Sequence, residues 1–151
     1  MNQDHLSWLE KYLKDLYQTP ILENFLDLQL IELREKKAVF SAKIKEQHSN
    51  VYGFVHGGTL ASISDVAMGI SCITLGKRVV TIDQNINFIK GAPTGSILTA
   101  YGEVINNGNT IMRAAAEIFD EKRELIVRSQ ASYFIIGDFN EHDFPQPVIH
   151  K

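Results

Sequence analysis

Hydrophobic residues form two helical patterns along the chain, and these predict two different kinds of helix. In residues 3–17, leucines and a tyrosine return every three or four positions, which is typical of a helix with one apolar face. Pro20 ends that pattern, and residues 21–26 are expected to add a short helical piece. Residues 57–75 are apolar nearly all round, which indicates a long helix buried inside the protein.

Strand-like patterns occupy most of the remaining chain. The predicted strands are 28–32, 38–45, 79–89, 97–105, 111–119 and 125–136. The sequence Asn-Asn-Gly-Asn at 106–109 predicts a tight hairpin, and residues 138–151 are expected to form an irregular tail. In segment 79–89, strict alternation puts Ile82, Ile86 and Phe88 on one face and Thr81, Asp83, Asn85 and Asn87 on the other.

Helical and strand segments are segregated along the chain, which predicts an α+β fold. We expect one domain over residues 1–151, with a core at 28–136 and an N-terminal helical extension at 3–26. A curved antiparallel sheet wrapped round the long helix satisfies the whole pattern, with the last four strands in a meander. The open edge of such a sheet invites a second subunit to extend it.

Composition narrows the classes of function. A net charge of -3 gives no basic surface for nucleic acid, and no apolar run is long enough to span a membrane. The single cysteine, Cys72, lies in the apolar helix, where we expect it to be packed rather than reactive. One cysteine and a polar N-terminus without signal-peptide character favour a cytoplasmic protein.

Residues 48–58, His-Ser-Asn-Val-Tyr-Gly-Phe-Val-His-Gly-Gly, form a loop that leads directly into the buried helix. The N–H groups of Gly57 and Gly58 have no partner within a helix that starts there, and the helix dipole favours negative charge at this end. Such donors can stabilise an oxyanion. Asn50 can donate to a carbonyl or hold a water, while His56 is expected to shape the helix start.

Asp65 is the only carboxylate within the apolar helix. An unpaired buried charge costs several kcal/mol, so Asp65 needs partners or a cleft, and it is a candidate general base or nucleophile. It follows Gly57 by eight residues, which is about 12 Å along a helix axis. One helix cannot bring both groups to one acyl carbon. Either the two groups serve separate purposes, or the site joins two subunits, and we expect a site shared between Gly57 of one subunit and Asp65 of another.

Other chemistries fit the sequence less well. His48, His56 and Asp65 do not match a familiar zinc spacing, so no metal site is expected. The chain has no Gly-x-Ser-x-Gly nucleophile elbow, Walker loop or dinucleotide-binding fingerprint.

The motif His48-x-Asn50-x-x-Gly53-x-x-His56-Gly57-Gly58, followed by Asp65, resembles the hotdog-fold acyl-CoA thioesterases. The most similar branches are the PaaI-like and thioesterase superfamily member 2-like proteins, and the resemblance covers roughly residues 28–136. It implies a thioester substrate that carries coenzyme A, with no separate cofactor. It also implies dimers of hotdog subunits that pair into tetramers.

The resemblance also implies roles for individual residues. Asp65 matches the catalytic carboxylate, and Gly57 supplies the N–H that polarises the thioester carbonyl. His56 lies beside that carbonyl, Asn50 helps to place the carbonyl or the attacking water, and Thr81 helps to hold the water near the carboxylate. Substrate contacts are expected from basic groups, the glycine loop and apolar residues, namely His48, Gly58, Leu60, Phe88, Lys90 and Arg113.

Two rivals remain at this point. One is a non-catalytic acyl-CoA-binding protein, against which Asp65 argues because a pocket for an apolar tail gains little from a buried acid. The other is a hotdog dehydratase, which would need a histidine, His48 or His56, paired with the carboxylate.

Overall fold

The computed structural model describes residues 3–147 and has the element order expected of an α+β protein. The helices are α1 (Gln3–Leu16), α2 (Leu22–Phe25) and α3 (Gly57–Ile73), with a 3-10 turn at Glu46–His48. The strands are β1 (Gln29–Arg34), β2 (Lys37–Lys43), β3 (Lys77–Phe88), β4 (Ile97–Asn107), β5 (Ile111–Phe119) and β6 (Leu125–Asp138). The 3-10 turn was not predicted from the sequence.

The strands form one six-stranded sheet in the order β1-β2-β4-β5-β6-β3, with antiparallel neighbours throughout. The expected meander of four strands is wrong in one respect, because only β4, β5 and β6 follow one another. Strand β3 lies at the far edge beside β6, and β4 instead pairs with β2. Helix α3 connects β2 to β3 across the sheet, which allows β3 to reach the opposite edge.

Helix α3 lies at the centre of the fold and packs against β2, β3, β4, β5 and β6. No side chain from residue 59 to residue 73 is exposed, so the burial predicted from its apolar sequence is confirmed. The sheet presents alternate residues to this helix, as in β5, where the buried positions are Met112, Ala114, Ala116 and Ile118. A central helix packed on an antiparallel sheet is the hotdog arrangement that the resemblance implied.

Gly102 in β4 sets how closely α3 lies on the sheet. A Cβ atom at this position would lie 2.1 Å from the carbonyl oxygen of Ala67 and 3.0 Å from the amide nitrogen of Met68. Both atoms belong to the helix backbone, which cannot move aside as a flexible side chain can. The helix backbone therefore rests directly on the strand, with no side chain between them.

The N-terminal extension belongs to the packed core. Leu9, Tyr12 and Leu13 of α1 are buried in the same cluster as residues of the sheet and of α3. The rings of Trp8 and Tyr12 also contact Phe139, which follows β6. Residues 139–147 contain no helix or strand, as expected for the tail, whereas residues 148–151 of that predicted tail lie outside the described residues. Within 3–147 no helix combines the length and the apolar character needed to cross a membrane.

We predict opposite stability effects for two glycine-to-alanine substitutions. Gly102→Ala should lower the free energy of unfolding by at least about 1–3 kcal/mol, because the new methyl group overlaps the backbone of α3. Gly69→Ala should raise it by about 0.5–1 kcal/mol, because glycine is a poor residue within a helix. There the added Cβ meets only the Tyr133 ring, at an ordinary 3.6 Å.

Urea unfolding followed by circular dichroism measures both changes. Equal effects of the two substitutions would contradict the direct contact between Gly102 and α3.

Candidate active site

Asn50 organises the loop that precedes α3. Its side-chain Oδ1 accepts hydrogen bonds from the backbone N–H groups of Tyr52 (2.9 Å) and Phe54 (3.1 Å). Its own backbone N–H donates to the carbonyl of Phe54 at 2.7 Å, and Gly53 closes the turn with φ of 81°. The amide Nδ2 of Asn50 has no acceptor among residues 3–147, so it remains available to donate to a substrate or water.

His56 caps the helix that carries Gly57 and Gly58. The ring Nδ1 accepts a hydrogen bond from the N–H of Gly58 at 2.9 Å, in place of the side-chain oxygen that usually fills this role. A neutral ring that accepts at Nδ1 carries its proton on Nε2, which is then a donor. The expectation that His56 shapes the helix start is confirmed.

This cap distinguishes the two glycine amides. The N–H of Gly58 is occupied by His56, so the expectation that Gly58 offers a free donor to the substrate is wrong. The N–H of Gly57 has no hydrogen-bond partner among the described residues. Gly57 is therefore the donor that the helix start presents at this position.

His48 supports the loop from inside the protein. Its side chain is 1% exposed, its Nδ1 accepts from the N–H of Lys45 at 3.0 Å, and its Nε2 lies 2.6 Å from the carbonyl oxygen of Phe25 in α2. Its carbonyl accepts from the N–H of His56 and from the hydroxyl of Thr59. Because both ring nitrogens are engaged, the expectation that His48 contacts substrate is wrong, and the residue joins the N-terminal extension to the start of α3.

A cleft of about 450 Å³ opens beside the helix start. It brings together five of the residues singled out from the sequence, and several loop residues complete its wall. The lining residues are Asn50, Phe54, Val55, Gly57, Leu60, Phe88, Ile89, Lys90 and Gly91. Its wall is mainly apolar, with the Gly57 amide and the Asn50 side chain as its uncharged polar groups.

A β-bulge in β3 changes which side chains face α3. In the ladder with β6, Thr81 pairs with Tyr133 but Asp83 pairs with Ser132, so Ile82 is an extra residue. The alternation expected for residues 79–89 is therefore wrong at Thr81. Its hydroxyl points to the helix, together with Gln84, whereas Asp83 accepts from the N–H of Ser132.

Two hydroxyl groups, one from β3 and one from β6, donate hydrogen bonds to the carboxylate of Asp65. Thr81 Oγ1 donates to Asp65 Oδ1 at 2.9 Å, and the hydroxyl of Tyr133 donates to the same oxygen at 2.7 Å. Charge-assisted hydrogen bonds of this kind stabilise a carboxylate in an apolar helix. The partners that an acid in this helix requires are therefore present, and they come from β3 and β6.

Asp65 and Gly57 lie in two separate clusters of the same chain. Asp65 is not among the residues that line the cleft, and the eight-residue spacing along α3 corresponds to about 12 Å. With His48 buried and His56 at the helix start, neither histidine pairs with Asp65 within one chain. Among residues 3–147, no group of three or more histidine, cysteine or acidic side chains is placed to hold a metal ion.

The two basic residues expected at the substrate have different positions. Lys90 lines the cleft, where its ammonium group forms an ion pair with Glu124. Arg113 lies on the outer face of the sheet and donates to the hydroxyl of Ser132. Because α3 and the cleft lie on the other side of the sheet, the structure does not bring Arg113 to the cleft.

Tyr133 and Gln84 were not predicted from the sequence. Tyr133 is 2% exposed within β6, and an aromatic residue inside a strand reads as ordinary core. Gln84 donates to the carbonyl of Ala61 at 3.1 Å, which ties β3 to α3 one turn before Asp65. Only the register of β3 against β6 would have identified both residues, and that register depends on the bulge.

Cys72 is packed rather than reactive, as expected. It is fully buried on α3, and burial raises the pKa of its thiol to about 12. The thiol therefore stays protonated near neutral pH, and a protonated thiol is a poor nucleophile.

Two curated relatives are similar to this chain over most of its length. Acyl-coenzyme A thioesterase 13 of Mus musculus is 26% identical over 113 residues, which are 73% of this chain and 81% of that protein. Acyl-coenzyme A thioesterase PaaI of Escherichia coli K12 is 24% identical over 133 residues, which are 88% of this chain and 94% of that protein.

Solved structures agree with the architecture. The Escherichia coli PaaI structure superposes with a TM-score of 0.81 at 22% identity and covers 89% of this chain and 97% of its own. A hypothetical thioesterase protein of Streptococcus pneumoniae, solved with coenzyme A, gives a TM-score of 0.73 at 26% identity and covers 75% and 88%. These likenesses confirm the hotdog fold.

The sequence model of the thioesterase superfamily matches residues 52–127, which is half of the chain. That segment begins in the glycine loop and includes α3, Asp65 and Thr81. The family match agrees with the resemblance stated from the motif. The chain belongs to the thioesterase superfamily.

Proposed function

We propose that the protein is an acyl-CoA thioesterase that hydrolyses an aromatic or fatty acyl-CoA to the free acid and coenzyme A. The observation that carries the proposal is the Gly57 amide, which has no hydrogen-bond partner among residues 3–147 and lies at an apolar cleft. The curated relatives named acyl-coenzyme A thioesterases support the class of substrate. Asp65 supports hydrolysis over mere binding, since a carboxylate adds little to a pocket for an acyl chain.

The thioester carbonyl accepts a hydrogen bond from the Gly57 N–H, which stabilises the negative charge that develops on the oxygen. Asp65 acts in one of two ways. As a general base it takes a proton from water, whose oxygen bonds to the acyl carbon; the C–S bond then breaks and the thiolate takes up a proton. As a nucleophile it forms a mixed anhydride with release of the thiolate, and water then hydrolyses the anhydride.

The shared site requires a second copy of the chain. We propose that Asp65 of one subunit faces Gly57 of its partner in a dimer, and that two dimers form a tetramer. Strand β3 supports this because it is an edge strand with exposed apolar residues, among them Val80 (47% exposed) and Ile82 (50%). Phe88 of the same strand lines the cleft and is also 54% exposed.

The acyl group would lie against Leu60 and Phe88 in the cleft. Asn50 would orient the carbonyl or the attacking water through its free amide nitrogen, and His56 would donate from Nε2 beside it. Lys90, which lines the cleft, would meet a phosphate of coenzyme A, at the cost of its ion pair with Glu124. Thr81 would keep the carboxylate of Asp65 in place.

We predict that Asp65→Asn lowers kcat at least about 100-fold, because the amide can neither accept the proton nor attack the acyl carbon. The measurement is release of free thiol from a panel of acyl-CoAs, read as kcat and kcat/KM. Cys72 is buried, so the native protein should add no thiol signal of its own.

Asp83→Asn is the matched control for Asp65→Asn. Asp83 lies on β3 close to Thr81 in sequence but bonds to the N–H of Ser132, so this variant should keep wild-type turnover. Wild-type turnover in Asp65→Asn would remove Asp65 from the mechanism.

We predict that Gly57→Pro and Gly57→Ala have very different activities. Proline is favoured at the first position of a helix and removes only the N–H that we assign to the oxyanion, so kcat should fall about 100- to 1,000-fold. Alanine keeps that N–H, and its Cβ meets the Phe88 ring at 3.4 Å, so activity should stay near wild type.

Helix content and oligomeric state, from circular dichroism and light scattering, check that both Gly57 variants fold. Equal turnover in the two variants would show that another group stabilises the oxyanion.

The same assays separate the rivals. Tight binding of acyl-CoA without thiol release would indicate a binding protein. Hydration of an enoyl-CoA without thiol release would indicate a dehydratase.

A further inference from the structure

We propose that Tyr133 is a positioning residue for Asp65: with Thr81 it holds carboxylate oxygen Oδ1 in place, so that Oδ2 is the oxygen that acts on the acyl group or the water. This inference rests on the proposed function, and it adds to that function a residue that the motif does not contain. Tyr133 touches no substrate and acts only through Asp65.

Both observed hydrogen bonds to the Asp65 side chain end on one oxygen. The hydroxyl of Tyr133 lies 2.7 Å from Oδ1 and 3.0 Å from the backbone carbonyl oxygen of Asp65, and Thr81 Oγ1 lies 2.9 Å from Oδ1. Oδ2 has no hydrogen-bond partner among residues 3–147. Two donors on one oxygen fix the rotation of the carboxylate and leave the other oxygen to react.

The two donors come from directly opposite positions in the sheet. Thr81 of β3 and Tyr133 of β6 are paired residues in the ladder, and the bulge at Ile82 follows immediately. Strands hold side chains more firmly than loops do, so this pair forms a rigid support for Asp65. The Tyr133 ring also packs beside Gly69, one turn further along α3.

The surroundings keep the Tyr133 hydroxyl neutral. Burial and the negative charge of Asp65 raise its pKa well above the ordinary value for tyrosine. The groups that face it are Asp65 and Cys72 from α3 and Thr81 from β3, and none of them is a cation. Tyr133 is therefore a permanent hydrogen-bond donor near neutral pH and not an acid or base in the reaction.

Removal of this donor has a defined effect on the kinetics. A carboxylate that is free to rotate presents its reactive oxygen less often, so kcat should fall while KM stays unchanged.

The test is Tyr133→Phe, which keeps the buried ring and removes only the hydroxyl. We expect kcat to fall about 10- to 100-fold, with KM unchanged within about twofold. Tyr101→Phe is the matched control: its ring, 48% exposed on β4, packs against Phe119, and we expect wild-type kinetics.

A spectroscopic readout does not depend on activity. In proton NMR, a buried hydroxyl bonded to a carboxylate should give a downfield resonance that exchanges slowly. We expect this signal to be absent in Tyr133→Phe and to move upfield in Asp65→Asn, where the acceptor is neutral.

The outcomes separate the two proposals. If Asp65→Asn is inactive while Tyr133→Phe keeps wild-type kcat, the positioning role is overturned and the proposed function stands. If Asp65→Asn keeps full activity, both fall. A hydroxyl resonance that is the same in Asp65→Asn and wild type would overturn the positioning role whatever the kinetics. Loss of kcat at unchanged KM, together with the NMR change, supports it.

Discussion

The hydrogen bonding of one carboxylate constrains much of this structure. Asp65 lies in a helix whose neighbouring positions are buried or half-buried, and a charge there is stable only with donors close by. The donors are Thr81 and Tyr133, on two strands that are far apart in sequence. The bulge at Ile82 and the position of β3 beside β6 are what bring Thr81 to Asp65, so the local irregularity of β3 has a chemical consequence.

Hydrogen bonds also fix the start of the same helix, although no charged group is involved. The ring of His56 accepts a hydrogen bond from the N–H of Gly58, and the N–H of Gly57 remains without a partner among the described residues. Asn50 closes the turn that leads into the helix. His48, which resembles a reactive group in the sequence, holds this loop against α2. The N-terminal extension therefore supports the residues at the helix start, in addition to covering the core.

Local patterns in the sequence were enough to predict part of this molecule. The burial of α3 followed from its apolar residues, and the loop from 48 to 58 followed from its glycines, because both depend on neighbours in sequence. The interior position of His48 could not be predicted, since its acceptor, the carbonyl of Phe25, lies 23 residues away. The contact of Tyr133 with Asp65 was equally hidden, because an aromatic residue in a strand is usually part of the core. Alternation put Thr81 on the wrong face, because β3 has one extra residue, and only the family resemblance placed Thr81 near the carboxylate.

Gly102 has no chemistry of its own, yet it determines where the carboxylate stands. A methyl group there would press on the carbonyl of Ala67, two residues after Asp65 on the same rigid helix. If α3 moved away from the sheet, the hydrogen bonds from Thr81 and Tyr133 to Asp65, now 2.9 and 2.7 Å long, would lengthen and weaken. The glycine in the neighbouring strand thus fixes the depth of Asp65 in the fold, so a substitution that never touches the carboxylate can still change its hydrogen bonds.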